Sequence, residues 1–258
     1  MFKKISSRVF RNRNSHSAFL DVRLKHCQYL THSKIFVVGN NKTGTTSLEH
    51  FFKKLGFLCL PQQIPESLYF ENRHNTSALL GKLNPYIRSF EVFQDLPFSE
   101  TSILDELVRS WPHEKYIYTM RSKVSWYNSL LNHHSQTAGF QIDKSKKIFS
   151  IVDTQSAVKS LKKWSYRGQN MYEHIIDRYS IPSSLSVYDF ECLISYHMKH
   201  EHTSQRLLAG RDALFLDITT DPNASKKICE FISLPFTVEL PIKNKRNINS
   251  LYRLSSRK

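Results

Sequence analysis

The segment Gly39-Asn40-Asn41-Lys42-Thr43-Gly44-Thr45-Thr46-Ser47-Leu48 gathers one lysine, four hydroxyl side chains and two glycines within ten positions. An apolar run, Lys34-Ile35-Phe36-Val37-Val38, leads into it. Behind it Leu48, Phe51, Phe52 and Leu55 recur at helical spacing, and Gly56 ends the pattern. Backbone N–H groups at a helix start lack intrahelical acceptors, and the helix dipole adds partial positive charge there. Gly44 lets an anion approach the backbone closely. Thr45, Thr46 and Ser47 add hydroxyl donors, and Lys42 adds a full charge. The chemistry on offer is the binding of a phosphate or sulfate group; a threonine-rich helix cap is the plain alternative.

Two further sets of residues belong beside it. Arg121 ends the apolar run Lys115-Tyr116-Ile117-Tyr118-Thr119-Met120, and Ser129 follows eight residues later on a helix. Eight helical residues rotate about 80° beyond two turns, so a long arginine and that hydroxyl can converge on one anion. A surface ion pair is the alternative for Arg121. Asp95 ends Phe90-Glu91-Val92-Phe93-Gln94 and stands two positions before Pro97. A carboxylate there can take a proton from a hydroxyl, orient an acceptor, or simply cap a turn.

The glycine spacing of Gly39 and Gly44 is that of the nucleotide-binding pattern GxxxxGK[ST], but Thr45 stands where the lysine belongs and the lysine has moved to Lys42. A nucleotide-dependent kinase of the P-loop type is the second reading, with Asp217 as its acidic metal ligand. His197 and His200 share a helix face with one turn between them. They read as a solvated face more than as a metal site, since no cysteine lies near and His202 points elsewhere. Lys159, Lys162 and Lys163 read as the wet side of an amphipathic helix. Trp126 and Tyr127 read as core or pocket wall.

The displaced lysine carries a resemblance. Lys42-Thr43-Gly44-Thr45-Thr46-Ser47-Leu48 resembles the 5′-phosphosulfate loop of the sulfotransferases that use 3′-phosphoadenosine-5′-phosphosulfate. Ser47 stands where the cytosolic branch places tryptophan, so the loop looks closer to the bacterial and glycan-modifying branches. Arg121 and Ser129 match the family's 3′-phosphate pair. Gln94-Asp95-Leu96-Pro97 is similar to the family's Thr-His-Leu-Pro, with aspartate in place of the histidine base. Gly210 to Ile218 and the helix ending at Leu234-Pro235 resemble the last strand and final helix, and the basic loop with Lys245 and Arg246 resembles one that covers the 3′-phosphate. The resemblance covers about residues 34–240. It implies Lys42, Thr43, Gly44, Thr45, Thr46, Ser47, Arg121, Ser129, Lys245 and Arg246 as donor-binding residues and Lys42 with Asp95 as catalytic ones. It implies transfer of a sulfuryl group to a hydroxyl or amine without a metal. The acceptor is a partner of unassigned identity, with carbohydrate among the classes.

These residues need a scaffold. Short apolar runs at 34–39, 57–60, 90–94, 115–120 and 213–218 alternate with helical patterns at about 66–83, 99–110, 122–135, 155–179 and 192–209, and Asp221-Pro222 opens a last helix. Alternation of this kind predicts an α/β domain, a P-loop-type three-layer fold with a central, mainly parallel sheet flanked by helices. Residues 136–154, polar and lysine-rich, read as a surface excursion or a lid. The expected division is a basic arm, 1–33, before one domain, 34–258.

Composition agrees. The 258 residues carry 37 Lys+Arg against 22 Asp+Glu, a net charge of +15. That favours anionic partners; no nucleic-acid-binding motif accompanies it. Seven glycines and nine prolines exclude collagen-like and low-complexity classes. Four cysteines without a CxxC pair suit a reducing compartment, which points to the cytoplasm. The first 34 residues hold Asp21 as their one acid, as a solvated arm or a transit peptide would. No apolar run reaches the roughly 18 residues of a membrane span.

Overall fold

The computed structural model describes residues 33–234 and 237–241. The first half of the chain runs β1 (Ile35–Val37), α1 (Thr45–Lys54), α2 (Gln63–Asn72), α3 (Thr76–Ser89), β2 (Val92–Gln94), α4 (Thr101–Ser110), β3 (Lys115–Thr119) and α5 (Lys123–Ala138). The second half runs β4 (Ile142–Asp143), β5 (Ser150–Ile151), α6 (Thr154–Lys163), β6 (Ser165–Tyr166), β7 (Gln169–Asn170), α7 (Met171–Tyr179), α8 (Phe190–Leu208), β8 (Ala213–Leu216) and α9 (Ala224–Phe231).

Four strands form one parallel sheet in the order β2-β1-β3-β8. Residues of β1 alternate between two cores. Ile35 and Val37 pack with Leu48, Phe51 and Phe52 of α1 and with Ile228 of α9. Phe36 and Val38 pack on the opposite face with Leu79, Leu83 and Ile87 of α3 and Leu104 and Leu107 of α4. Both faces are covered, so β1 is apolar at every position. Each such side chain stabilises the fold by about 1.5–3 kcal/mol when fully buried. A third core, built on Trp126, Leu130, Leu161, Ile175 and Leu193, joins α5, α6, α7 and α8. The expected three-layer α/β architecture is present. The chain runs from β1 to β2 on one side and then returns to β3 on the other, so the strand order reverses beside β1. Ligands of open parallel sheets bind at the C-terminal ends of the strands at such a reversal.

Several boundaries differ from the sequence pattern. The run 57–60 makes only one bridge, Cys59 to Val92, at the sheet edge. The helix expected over 66–83 is two helices, because Asn75 caps α3 by accepting from the Ala78 amide. The helix expected over 155–179 is broken by a two-residue hairpin. Arg167 and Gly168 take φ 48° and 79° there, a turn that joins β6 to β7 and that no helix can contain. The excursion at 136–154 is the end of α5, stopped at Gly139 (φ 82°), followed by the β4–β5 hairpin. The last helix starts at Ala224 with Asn223 before it. Asp221 accepts from the Asn223 amide and binds Lys227 instead of capping the helix directly. Gly56 ends α1 as expected, with Phe57 N–H reaching the Phe52 carbonyl (3.0 Å) and Gly56 N–H the Lys53 carbonyl (3.1 Å).

Candidate functional site

The loop after β1 turns through the two glycines. At Gly39 a Cβ would stand 2.5 Å from the Thr119 carbonyl oxygen, so the close approach of the β1 and β3 ends requires glycine. Gly44 has φ 106° and its Cβ would meet the Ile218 side chain. Gly44 precedes α1 and offers no side-chain cap, and the first turn of α1 holds no acid. The amides of Thr45 and Thr46 at this start have no intrahelical acceptor. Lys42 beside them adopts φ 62°. A bare helix start, a close backbone and a lysine fit a phosphosulfate or phosphate group.

The hydroxyls divide their work. Thr43 is buried: its Oγ1 donates to the Asn40 carbonyl and lies 2.6 Å from Thr119 Oγ1. Its side chain therefore ties the loop to β3, and its share in ligand binding is left to the backbone. Thr45 Oγ1 donates to Asp95 Oδ2 at 3.2 Å. Thr46 is exposed and Ser47 half-buried at the start of α1.

Residues far along the chain hold this loop. Trp126 Nε1 donates to the Asn41 carbonyl (2.8 Å), and Asn41 Nδ2 donates to Tyr179 Oη (3.2 Å). Arg121 Nη1 donates to the Lys42 carbonyl (2.8 Å), and its Nε donates to Ser125 Oγ (2.9 Å). The sequence pairs Arg121 with Ser129 on one anion; in the structure Arg121 is bonded to the Lys42 loop and to Ser125, a partner that the sequence analysis did not name. Ser129 stands one turn beyond Ser125 on the same face of α5, half-buried. Burial pulls the Arg121 guanidinium below its ordinary range, and Asp217 opposes this.

The histidines correct an expectation. His197 and His200 do share a face, but it is the inner one, 1% and 4% exposed. His197 stacks on Trp126 with ring centres 4.4 Å apart and a 12° interplanar angle. Its Nε2 donates to the Arg121 carbonyl (3.2 Å), which leaves Nδ1 to accept from Asn40 Nδ2 (3.3 Å). His200 Nε2 donates to the Ser99 carbonyl (2.6 Å) and its Nδ1 accepts from Tyr118 Oη (3.0 Å). Burial pushes both down to about 4, so both are neutral links between α8 and the strand ends. No spacing rule separates such a face from a wet one, because the surrounding polar residues on α8 hide its period.

Asp95 follows β2 directly, at φ 55°. Its Oδ1 accepts from the Leu96 amide (3.1 Å), and its carbonyl accepts from the Ser99 amide (2.9 Å). Burial pushes its carboxyl above the usual range. Arg178, the Thr45 hydroxyl and Lys42 hold it down, and Glu66 pushes it further up. A wall stands beside it: Gln62 Nε2 donates to the Leu96 carbonyl (3.0 Å), and Glu66 accepts from Tyr166 Oη (2.7 Å) and Arg167 Nε (2.6 Å). The β6–β7 hairpin is thereby fastened to α2 next to the Asp95 loop.

Asp217, the metal ligand of the kinase reading, spends Oδ1 on the Thr219 amide and hydroxyl. Among the described residues no group of three or more His, Cys, Asp or Glu could hold a metal ion, and no helix is long and apolar enough to cross a membrane. Lys245, Arg246 and the arm before Lys34 lie outside the described residues, apart from Ser33. The loop after β1 therefore brings Lys42, the Arg121 guanidinium and the Asp95 carboxylate together: Arg121 bonds to the Lys42 carbonyl and Thr45 to Asp95. The family model described as the sulfotransferase domain matches residues 34–248. No curated protein matches the chain.

Proposed function

The chain belongs to the sulfotransferase-domain family, and on that footing we propose that it transfers a sulfuryl group from 3′-phosphoadenosine-5′-phosphosulfate to a hydroxyl, or an amine, of an acceptor, with carbohydrates the first class to test. The observation that carries this reading is the displaced lysine. Lys42 stands at an uncapped helix start, and Arg121, two residues past the end of β3, donates to its carbonyl. Amides of Gly44, Thr45 and Thr46 face the 5′ end of the donor. Arg121 and Ser129 take the 3′-phosphate, with Lys245 and Arg246 covering it.

The reaction is an in-line displacement at sulfur. The acceptor oxygen bonds to sulfur as the bond from sulfur to the bridging oxygen breaks. Asp95 receives the acceptor's proton. Lys42 and the loop amides stabilise the charge that grows on the departing oxygen; fixed donors of this kind are worth most where water is excluded. A sulfate carries less charge than a terminal phosphate, so these donors suffice without a metal. We place the activity in one domain, residues 34–258, behind a basic arm, and in the cytoplasm.

The test is ligand binding by calorimetry with and without Mg²⁺, followed by a labelled-donor screen against carbohydrates, lipids and small alcohols. Binding of 3′-phosphoadenosine 5′-phosphate without Mg²⁺ is the expected result. Binding of Mg-ATP alone, with no label transferred, would sink the proposal.

A further inference from the structure

Helix α7 ends in two residues that reach the two loops carrying Lys42 and Asp95. Tyr179 accepts from Asn41 of the loop that carries Lys42. Arg178 lies against Glu100, with Nη2 2.9 Å from Oε1 and its side chain only 4% exposed. Glu100 closes the loop that Asp95 opens: Ser99 N–H bonds to the Asp95 carbonyl and Glu100 N–H to the Pro97 carbonyl, both at 2.9 Å. The guanidinium is therefore a buried charge at the floor of the Asp95 loop.

Its pairing with Glu100 is incomplete. Nε and Nη2 of Arg178 and Oε1 of Glu100 are buried without a well-aligned hydrogen bond, so the contact is an ion pair by distance only. Tyr196 lies within hydrogen-bonding reach of the guanidinium, and the Tyr179 ring centre is 5.9 Å from it. Glu100 offsets much of this charge, but in low-dielectric surroundings the guanidinium still acts on other groups beside the pair.

We propose that Arg178 is a positioning residue for the reaction: through its ion pair with Glu100 it holds the 95–100 loop and sets a buried positive charge beside the loop that carries Asp95. The role of Asp95 as base rests on the function proposed above; the coupling between the two side chains does not. The other groups that act on Asp95 are Lys42 in the first loop, the Thr45 hydroxyl on α1 and Glu66 on α2. Arg178 itself also faces Tyr69 of α2 and Tyr196 of α8, and its charge reaches His174 of α7 and His200 of α8. Among the groups that oppose burial at Asp95, Arg178 acts most strongly. Burial alone works against the ionised form that a base needs.

The experiment is a carbon-13 NMR titration of carboxyl groups in the full chain, the Asp95 resonance being identified by its loss in Asp95→Asn. No acceptor is needed. In Arg178→Gln the Asp95 midpoint should rise by about one to three pH units, the effect of one adjacent opposite charge. Arg178→Lys keeps the charge and should return the midpoint toward that of the parent. Glu100→Gln removes the competing negative charge and should lower it. If Arg178→Gln does not fold, the sign of the Glu100→Gln change decides alone. An Asp95 midpoint unmoved or raised in Glu100→Gln, or unmoved in a folded Arg178→Gln, overturns the proposal. Should the midpoints move as stated while Asp95→Asn still transfers sulfate at the parental rate, the coupling stands and the base assignment falls.

Discussion

Lys42 and Asp95 both hold left-handed backbone, at φ 62° and 55°. A non-glycine residue in such a conformation costs on the order of 1 kcal/mol or more and persists where its surroundings enforce it. The two residues sit on neighbouring loops, which Thr45 joins by its bond to Asp95. Replacing Lys42 by Ala should lower transfer about 10²–10³-fold with little loss of donor affinity, measured by single-turnover label transfer; a fully active variant would end the assignment. Asp95→Asn keeps the shape and removes the base. It should preserve donor binding, abolish most transfer, and remove the acid limb of the pH–rate profile. In the parent that limb should lie above the ordinary carboxylate range, since burial raises Asp95; activity is then lost as pH falls through it. A raised acceptor KM with unchanged kcat would assign Asp95 to orientation instead.

Arg121 has two duties, one to the loop and one to the proposed 3′-phosphate. Arg121→Ala should weaken both 3′-phosphoadenosine 5′-phosphate and adenosine 5′-phosphosulfate, because the bond to the Lys42 carbonyl is lost either way. The loss should be greater for the first ligand by about tenfold to a hundredfold, the worth of a charge-assisted hydrogen bond. Ser129→Ala isolates the phosphate and should affect the first ligand only. Equal losses for both ligands, with Ser129→Ala silent, would leave Arg121 a purely structural residue.

At the scale of elements, the strand–loop–helix unit is held from outside itself. Strand β3 grips it through Thr119, α5 through Trp126, and α8 through His197. Trp126→Phe keeps an aromatic ring over His197 and removes the donor to the half-buried Asn41 carbonyl. An unsatisfied buried acceptor costs about 1–3 kcal/mol. The melting temperature should fall by several degrees, and donor affinity should fall with it as the loop loosens. A variant with the parental Tm and affinity would show that the loop's position is set within residues 39–47.

The whole molecule stores its acid sensitivity in buried imidazoles. His174 is pushed down to about 3 and His197 and His200 to about 4, all by burial. In the unfolded chain each takes a proton near pH 6.5. Below that pH the unfolded state binds protons that the native state does not, so stability is full above about 6.5 and falls as pH drops toward 4. Each such group contributes at most about 1.4 kcal/mol per pH unit. Three together can remove a typical 5–15 kcal/mol of stability within a few pH units. Denaturant unfolding at pH 7.5, 6 and 5 should show this decline, and His197→Gln, which can keep one of the two hydrogen bonds, should flatten it by about one proton. A decline unchanged by that substitution would place the protons elsewhere.

Local order wrote the first loop plainly. Apolar residues before it, an i, i+3, i+4, i+7 stripe after it and glycines at two demanding positions specify a strand, a turn and a helix from near neighbours alone, and the displaced lysine sits inside that span. The strand-end positions of Asp95 and Arg121 were legible for the same reason. Local order could not show that α6 and α7 part at Arg167-Gly168, because a single glycine is tolerated in a helical pattern. Nor could it reveal that Thr43 turns inward, that His197 stacks on Trp126, or that Arg178 meets Glu100. The last two pairs lie 71 and 78 residues apart in the sequence. Periodicity reports which face of an element is apolar. Which polar side chain meets which, and so what charge each one feels, is decided only when the sheet and its two helical layers close on one another.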